Sequence, residues 1–266
     1  MMNDFLKTRP GAPEGFFAAE AAGLRWLAEP SAVPVVEVLE TGAEFLRLAR
    51  VEPAPPSAAG AQEFGRGLAR LHEAGAPGFG WAPAETAWFG PLDDPFPVPT
   101  TSHDDHATFL ARDRLSPLAQ RTRDQLDRAG ADAVDAAIEV IGAGAFDGIS
   151  GQGREAPARV HGDLWSGNLM WTASGGTLID PAAHGGHRLE DLAMLSLFGA
   201  PYLEEIFAGY EAEHPLPAGW REDLPAHLFF GLLAHVALFG GGYAQQTVTV
   251  ARRITARAQQ LEERRA

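Results

Sequence analysis

Three oxygen-bearing side chains in the 266-residue chain have the types and spacing that chemistry on a phosphate group needs. Asp163 and Asn168 lie close together in residues 161–168, and Asp180 follows after a short interval. Carboxylate and amide oxygens suit Mg²⁺, a hard cation that keeps some of its waters and bridges the phosphates of a substrate. We therefore predict that Asn168 and Asp180 hold magnesium, which leaves Asp163 free to face an acceptor alcohol.

The segment between Asn168 and Asp180 predicts a β-hairpin. Residues 169–171 and 177–179 favour strands, and the Ala-Ser-Gly-Gly sequence at 173–176 is typical of the turn between them. Antiparallel pairing then brings Asn168 and Asp180 to one end of the hairpin. Another interpretation stays open, in which Asp163 caps a turn and Asn168 supplies an unusual backbone angle, as these residue types often do.

The order Asp163, Asn168, Asp180 also matches the pattern of protein kinases, in which the first Asp accepts the substrate's hydroxyl proton and the other two side chains hold magnesium. The wider pattern resembles the fructosamine (ketosamine) kinase family, whose fold is like that of aminoglycoside phosphotransferases. The segments that carry the resemblance are 161–168, 178–181, 184–188, 191–194, 197–199 and 239–244, and more loosely 79–81, 109–110 and 114–115. It implies an α+β, two-lobed, protein-kinase-like fold and the ATP- and magnesium-dependent phosphorylation of a hydroxyl on a ketosamine or a related sugar-derived molecule.

Lys7 is the only lysine in a chain whose other strongly basic residues are all arginine. If a biased genome has converted lysine to arginine wherever the geometry allows, the remaining lysine marks a position that requires a compact ammonium rather than a planar guanidinium. Residues 4–6 are strand-like, and apolar residues at 17, 21, 24 and 27 predict a helix with Glu20 on a neighbouring face. The resemblance implies that Lys7 steadies the ATP phosphates and that Glu20 holds Lys7. The alternative is a solvated lysine in a frayed terminus.

The chain is predicted to have two lobes, a truncated nucleotide-binding lobe at residues 1–52 and a mainly helical catalytic lobe at 53–266. Only six residues precede Lys7, so the two strands and the glycine-rich phosphate loop that such a lobe normally carries are missing from the sequence. A misplaced gene start, a different mode of nucleotide binding, or a kinase-like binding or regulatory protein without catalysis would each explain this. The Pro-rich residues 52–56 are expected to form either the interlobe hinge, with residues 50–52 facing the adenine, or a plain surface linker.

Apolar spacing predicts that the second lobe is mostly helical. Helices are expected near residues 61–74, 108–129 and 131–146, a buried helix over 226–242, and a surface helix over 250–266, with an irregular connection at 76–101. The Gly-Ala-Gly-Ala sequence at 142–145 is expected to end a helix. The His-Asp-Asp-His sequence at 103–106 is expected to begin one, with Asp104 or Asp105 as the N-cap rather than as metal ligands.

Further polar residues have expected roles around the three central side chains. His187, Arg188 and His235 are candidate contacts for the phosphate or the sugar of the acceptor. The resemblance suggests that Asp191 ties its helix to the loop that carries Asp163, and His161 is expected to order the same loop by hydrogen bonding. A zinc site at His184, His187 and Asp191 is a weaker alternative, since the helical spacing of paired ligands is missing.

The sequence departs from the resembled family at positions near the acceptor. His184 and Gly185 stand where the family commonly has aromatic residues, Leu189 replaces an acid, and Ala234 and Ala237 replace amides. The acceptor is therefore left open between a ketosamine and an amino sugar, an amino alcohol or an antibiotic. Fold analogy alone does not choose among them.

Composition limits the class of protein. The net charge of -14, with basic residues scattered along the chain, makes nucleic acid an unsuitable partner. The absence of cysteine excludes disulfides and thiolate chemistry, and no long apolar run near the start indicates export or a membrane span. These features predict a cytoplasmic enzyme that acts on a small molecule. They give no indication of its oligomeric state.

Overall fold

The structure, a computed structural model, describes residues 4–265 and has an α+β, two-lobed architecture. The first lobe contains strand β1 (Asp4–Thr8), helix α1 (Phe16–Ala28), and strands β2 (Val38–Thr41) and β3 (Phe45–Ala49). The strands form an antiparallel sheet in the order β1-β3-β2. Lys7 pairs with Leu46 in this sheet, so the predicted lysine strand is present.

Helix α1 packs on the sheet through the apolar stripe that the sequence predicts. Phe17, Ala21 and Leu24 are buried, and they share a core with Leu46 and Leu48 of β3. Because residues at helical spacing lie on one side of the helix, this packing fixes the rotation of α1 about its axis. Glu20, which lies between the buried positions, is thereby directed toward Lys7.

The second lobe is mainly helical. Its helices are α2 (Ala58–Glu73), α3 (His106–Thr108), α4 (Ser116–Thr122), α5 (Arg128–Gly142), α6 (Leu189–Leu197), α7 (Leu203–Glu213), α8 (Leu224–Phe239) and α9 (Ala244–Arg265). Asp105 is the N-cap of α3 and accepts a hydrogen bond from the Thr108 amide at 2.7 Å, which confirms that residues 103–106 begin a helix. Helix α5 ends at Gly142, as the glycines at 142 and 144 predict.

Three two-stranded antiparallel sheets accompany these helices. They are β4 (Ala87–Phe89) with β5 (Phe96–Val98), β6 (Ala158–Val160) with β9 (His184–Gly186), and β7 (Leu169–Thr172) with β8 (Gly175–Leu178). The β7–β8 pair confirms the predicted hairpin, with Leu169 opposite Leu178. The segment 76–101, expected to be irregular throughout, instead contains the β4–β5 hairpin.

Two further predictions about helices are wrong. Residues 108–129 do not form one α-helix, because a π-helical turn at Phe109–Leu115 and a 3₁₀ turn at Arg123–Gln125 flank α4. The C-terminal helix is not confined to the surface, since α9 packs against α5 and α8. The residues that bury this side of α9 are Val250, Ala251, Ile254, Ala258 and Leu261.

Helix α8 is strongly apolar. Residues 220–239, which include it, are the one helical stretch within residues 4–265 that is long and apolar enough to cross a membrane. Half of this stretch is buried inside the protein. Phe229, Leu232 and Leu233 of this helix belong to the core of the second lobe. The predicted buried helix over 226–242 is therefore confirmed in its position.

Candidate active site

The β7–β8 hairpin brings the predicted magnesium ligands together. The Ile179 amide donates to the carbonyl of Asn168 at 3.1 Å, so Asn168 and Asp180 lie at the same end of the hairpin. The Asn168 side-chain amide donates to the Asp163 carbonyl at 2.8 Å and to the Asp163 carboxylate at 3.1 Å. It also lies 3.4 Å from the Asp180 carbonyl. The Asn168 side chain thus links the other two predicted residues, Asp163 and Asp180.

Asp163 belongs to residues 161–168, which we name the catalytic loop after the role predicted for Asp163. Asp191 of α6 holds this loop in place. The Asp191 carboxylate accepts the amides of His161 at 2.8 Å and Gly162 at 3.0 Å. Burial raises the pKa of Asp191, but the hydrogen bond and charge of His72, together with the contribution of His161, leave that pKa below its ordinary value. A charged, fully buried carboxylate therefore holds the loop, which agrees with the supporting role expected for Asp191.

Gly162 is required at its position in the catalytic loop for two reasons. Its φ of 81° lies in the left-handed region, and a Cβ there would meet the Ala182 carbonyl oxygen at 2.3 Å. The loop therefore passes close to the segment that follows Asp180. This close approach keeps Asp163 and Asp180 in one cleft.

His161 orders the catalytic loop through both ring nitrogens. Its Nε2 donates to the Ile179 carbonyl at 2.8 Å, and its Nδ1 accepts the Asp163 amide at 3.3 Å. Complete burial lowers the pKa of His161, so the ring is neutral. Because neither nitrogen is free to take a proton from a substrate, this geometry supports the expected ordering role and argues against a general base at His161.

The environment of Asp163 places its protonation change near neutral pH. Burial raises the pKa of Asp163 to about 8; the hydrogen bond from Asn168 opposes this shift, while the charges of Asp180 and Asp191 add to it. A carboxylate whose proton affinity is raised toward the working pH is a better proton acceptor than an ordinary one. Where the pH exceeds this pKa and the carboxylate is ionised, the electrostatics suit the predicted role of Asp163.

Lys7 is held in the same cleft by two carboxylates. Its Nζ lies 3.0 and 2.9 Å from the two Glu20 oxygens and 3.2 Å from Asp180 Oδ1. Burial lowers the pKa of Lys7, but the charges of Glu20 and Asp180 more than compensate and raise it above the ordinary value. The side chain is only 13% exposed, so the alternative of a frayed, solvated lysine is wrong.

These residues line a cleft with a volume of about 600 Å³. The donor set available to a magnesium ion consists of oxygens: the Asn168 side-chain carbonyl accepts no hydrogen bond from residues 4–265, and the Asp180 side chain is 43% exposed. Asp180 has a φ of 51°, an uncommon conformation for a residue other than glycine that is often found at functional sites. The residues therefore fit a hard cation with phosphate ligands.

His187 and Arg188 are not placed to contact an acceptor, which corrects the expectation for both. His187 is fully buried, and its ring stacks on that of His227 at a centroid distance of 4.1 Å. Arg188 forms a two-pronged ion pair with Glu155, at 2.7 and 3.0 Å. Neither side chain lines the cleft, whereas His235 does.

The zinc alternative is not supported by the geometry. His184 Nε2 bonds Glu190 at 3.1 Å, while Asp191 is committed to the catalytic loop and His72. Within residues 4–265, no three His, Asp or Glu side chains converge as a metal site requires. His184 and His187 therefore do not form a pair of ligands on one face of a helix, in the structure as in the sequence.

Sequence reasoning missed several residues of the cleft. Residues 88–92, within and after β4, form one wall, and their irregular Pro- and Gly-rich sequence gave no signal of this. Phe198 is another of them, since it is 46% exposed and lines the cleft. Its position at the C-terminal end of α6, one residue before Gly199, was the available signal that it leaves the buried face.

Comparisons with known proteins agree with this geometry. The sequence model of the family described as fructosamine kinase matches residues 2–257. A protein of Thermus thermophilus named "probable ketoamine kinase" is 34% identical over 238 residues, which cover 90% of this chain and 82% of that protein. A protein of Escherichia coli that is also named as a probable ketoamine kinase is 32% identical over 240 residues, which cover 87% of this chain and 79% of that protein.

Solved structures give the same result. The crystal structure of a candidate fructosamine-3-kinase from Thermobifida fusca superposes with a TM-score of 0.84 at 39% identity, covering 95% of this chain and 85% of that one. A choline/ethanolamine kinase family protein from Mesorhizobium loti, with a TM-score of 0.59 and 16% identity over 97% of this chain and 86% of its own, shares the fold alone. The chain therefore belongs to the fructosamine kinase family and is a small-molecule kinase with the two-lobed, protein-kinase-like fold.

Proposed function

We propose that the protein transfers a phosphoryl group from ATP to a hydroxyl of a ketosamine, with magnesium as the required ion. The observation that carries this proposal is the arrangement of Asp163, Asn168, Asp180 and Lys7 around one cleft, with Lys7 held by Glu20. Each of these groups has a separate task in phosphoryl transfer, which depends mainly on positioning and on neutralising charge. Membership in the family supports the ketosamine as acceptor.

Asp163 is the proposed proton acceptor. Its backbone is fixed by the catalytic loop and its carboxylate by Asn168, so it presents one oriented oxygen to the incoming hydroxyl. As the hydroxyl oxygen forms its bond to the γ-phosphorus of ATP, the bond from that phosphorus to the bridging oxygen breaks and ADP leaves, while the hydroxyl proton passes to Asp163. The raised proton affinity of this buried carboxylate favours that transfer.

Asn168 and Asp180 are the proposed magnesium ligands, and Lys7 is the proposed phosphate contact. Magnesium, when bound, supplies positive charge that offsets the charge developing on the phosphate oxygens. In the structure Lys7 Nζ contacts Asp180 at 3.2 Å, so the same ammonium lies beside the metal ligand and beside the place where phosphates would bind. Glu20 prevents Lys7 from turning away, because it holds the ammonium with both oxygens.

The test is an ADP-release assay with ATP, magnesium and the fructose adduct of methylamine, combined with mass spectrometry of the acceptor. Ketosamine-dependent ADP release and a phosphorylated acceptor are expected. Choline in place of the ketosamine is expected to give no release above background. ADP release that does not depend on the ketosamine, or that is equal with choline, would contradict the proposed acceptor.

Two variants test the residue roles. Asp163→Asn and Asp180→Asn should each lower kcat by roughly 100-fold or more, since they remove a proton acceptor and a charged metal ligand. Asp135→Asn is a matched control, because Asp135 forms an exposed ion pair with Arg123 on the surface. Parent-like turnover in both site variants would end the assignment.

A further inference from the structure

One side of the cleft consists of a continuous row of aromatic rings, which we call the aromatic row: Trp165, Phe198, His235, Phe239 and Tyr243. All five line the cleft that contains Asp163. The Trp165 and Phe198 rings are 5.9 Å apart, and Phe198 and His235 are 5.7 Å apart, both edge to face. His235 in turn lies 5.6 Å from Phe239 and 5.0 Å from Tyr243.

The aromatic row is unusual because its apolar surface faces solvent. Trp165 is 38% exposed, Phe198 46% and Phe239 58%, although large apolar side chains of this kind are normally covered. His235 at the centre is held by a hydrogen bond from Nδ1 to the Gly231 carbonyl at 2.5 Å, which fixes its ring among those of Phe198, Phe239 and Tyr243. The row is therefore a formed surface that lacks a covering group.

The charges of the cleft restrict what that covering group can be. Lys7 is the only lysine or arginine among the cleft-lining residues of the described chain, and both of its partners, Glu20 and Asp180, are carboxylates in the same cleft. Outside the proposed magnesium site, a carboxylate on a bound acceptor would find no lysine or arginine other than Lys7, which Glu20 and Asp180 already hold. A protonated amine would be attracted by these acids and by the aromatic faces.

The row also begins at the reacting group, because Trp165 lies two residues after Asp163 in the catalytic loop. In a ketosamine the nitrogen is one carbon away from the sugar's carbonyl carbon, so a sugar hydroxyl that faces Asp163 leaves the nitrogen and its substituent close by. Through Trp165, the aromatic row is an apolar surface of the cleft that is continuous with this position.

We infer that the aromatic row binds the substituent on the ketosamine nitrogen, and that it selects apolar or aromatic amine substituents over small ones and over those bearing a carboxylate. This inference rests on the proposed function and adds the acceptor's subclass to it. Preferred acceptors are adducts of sugars with aralkylamines. Adducts of free α-amino acids are poor acceptors, because their carboxylate lies beside the amine.

The test uses three fructose adducts that share one sugar and differ only at nitrogen: those of methylamine, phenethylamine and phenylalanine. The last two differ only by the carboxylate. The kcat/KM for the phenethylamine adduct is expected to exceed that for each of the other two by roughly tenfold or more, as the burial of a phenyl ring and the loss of an unpaired charge imply. Phosphorylation of all three adducts with equal kcat/KM would overturn the inference and leave the proposed function standing, whereas failure with every adduct would overturn both.

Substitutions in the aromatic row test whether the selectivity among amine substituents arises there. Phe198→Ala and Phe239→Ala should each reduce the ratio of kcat/KM for the phenethylamine and methylamine adducts several-fold, because each removes an exposed ring of the row. Leu39→Ala is the matched control, since Leu39 of β2 is 47% exposed and lies outside the cleft, and it should leave both the ratio and the activity unchanged. An unchanged ratio in both phenylalanine variants would show that the aromatic row does not bind the substituent.

Discussion

Replacement of His227 by phenylalanine should make the protein less sensitive to acid. His227 is buried in α8, its ring stacks on that of His187 at 4.1 Å, and His106 lies 5.3 Å away. Burial lowers the pKa of His227 from the ordinary 6.5 to about 3; the charge of His106 adds to this shift, and that of Glu190 opposes it. The folded protein therefore keeps the ring neutral at pH values where the unfolded chain binds a proton.

The sign and the size of the effect follow from linkage. Below pH 6.5 the unfolded state gains a proton at this histidine that the folded state does not, so the free energy of unfolding falls as the pH falls toward 3. With these two pKa values, His227 alone removes about 2 kcal/mol of stability between pH 7 and pH 5. His227→Phe has no titratable group at this position, so its free energy of unfolding does not fall for this reason. At pH 7 it should be about as stable as the parent, because both ring nitrogens of His227 are buried without a hydrogen-bond partner.

The measurement is urea unfolding followed by tryptophan fluorescence at pH 7 and pH 5. Relative to the parent, His227→Phe should gain about 2 kcal/mol on going from the higher to the lower pH. Phe229→Leu is a suitable control, because it removes core volume from the same helix without removing a titratable group, and it should cost the same amount at both pH values. If the parent and His227→Phe lose equal stability on acidification, the reasoning is refuted.

Two further substitutions test packing and phosphate contact. Gly65→Ala should lower the free energy of unfolding by about 1–3 kcal/mol, because its Cβ would lie 2.0 Å from the Ile206 carbonyl oxygen of α7; Gly153→Ala, with nothing within 4 Å, should be close to neutral in thermal melts. Lys7→Arg should lower kcat/KM for ATP roughly tenfold or more at a nearly unchanged Tm, since a planar fork cannot replace an ammonium shared by Glu20 and Asp180. An unchanged kcat/KM for ATP in the arginine variant would contradict the proposed contact.

The part of the site that the sequence predicts well is local in the chain. The turn residues between β7 and β8 determine the hairpin, and the hairpin brings Asn168 and Asp180 together within a dozen residues. Lys7 and Glu20 are also close in sequence, and the apolar stripe of α1 determines the direction of Glu20. In both cases the period of a strand or helix is enough to place the side chain.

The parts that were missed depend on residues far apart in sequence. His187 is buried because α8 places His227 against it, and Arg188 is neutralised by Glu155 from a different loop. Apolar spacing did not predict the π-helical turn at Phe109–Leu115, because a single extra residue per turn hardly changes the pattern. The end of α6 at Phe198 has a local signal in Gly199, but the cleft that Phe198 lines is formed by segments far apart in sequence.

The contacts of Lys7 have a consequence for amine-directed reagents. Because the chain contains no other lysine, an acylating or aldehyde reagent has one ε-amine to modify, and that amine is buried in the cleft between two acids. Sugars react with the same ε-amines, so a lysine-rich protein surface collects sugar adducts. This protein offers sugars no ε-amine other than that of Lys7 in the cleft. Any covalent label found on a lysine of this protein reports directly on access to its cleft.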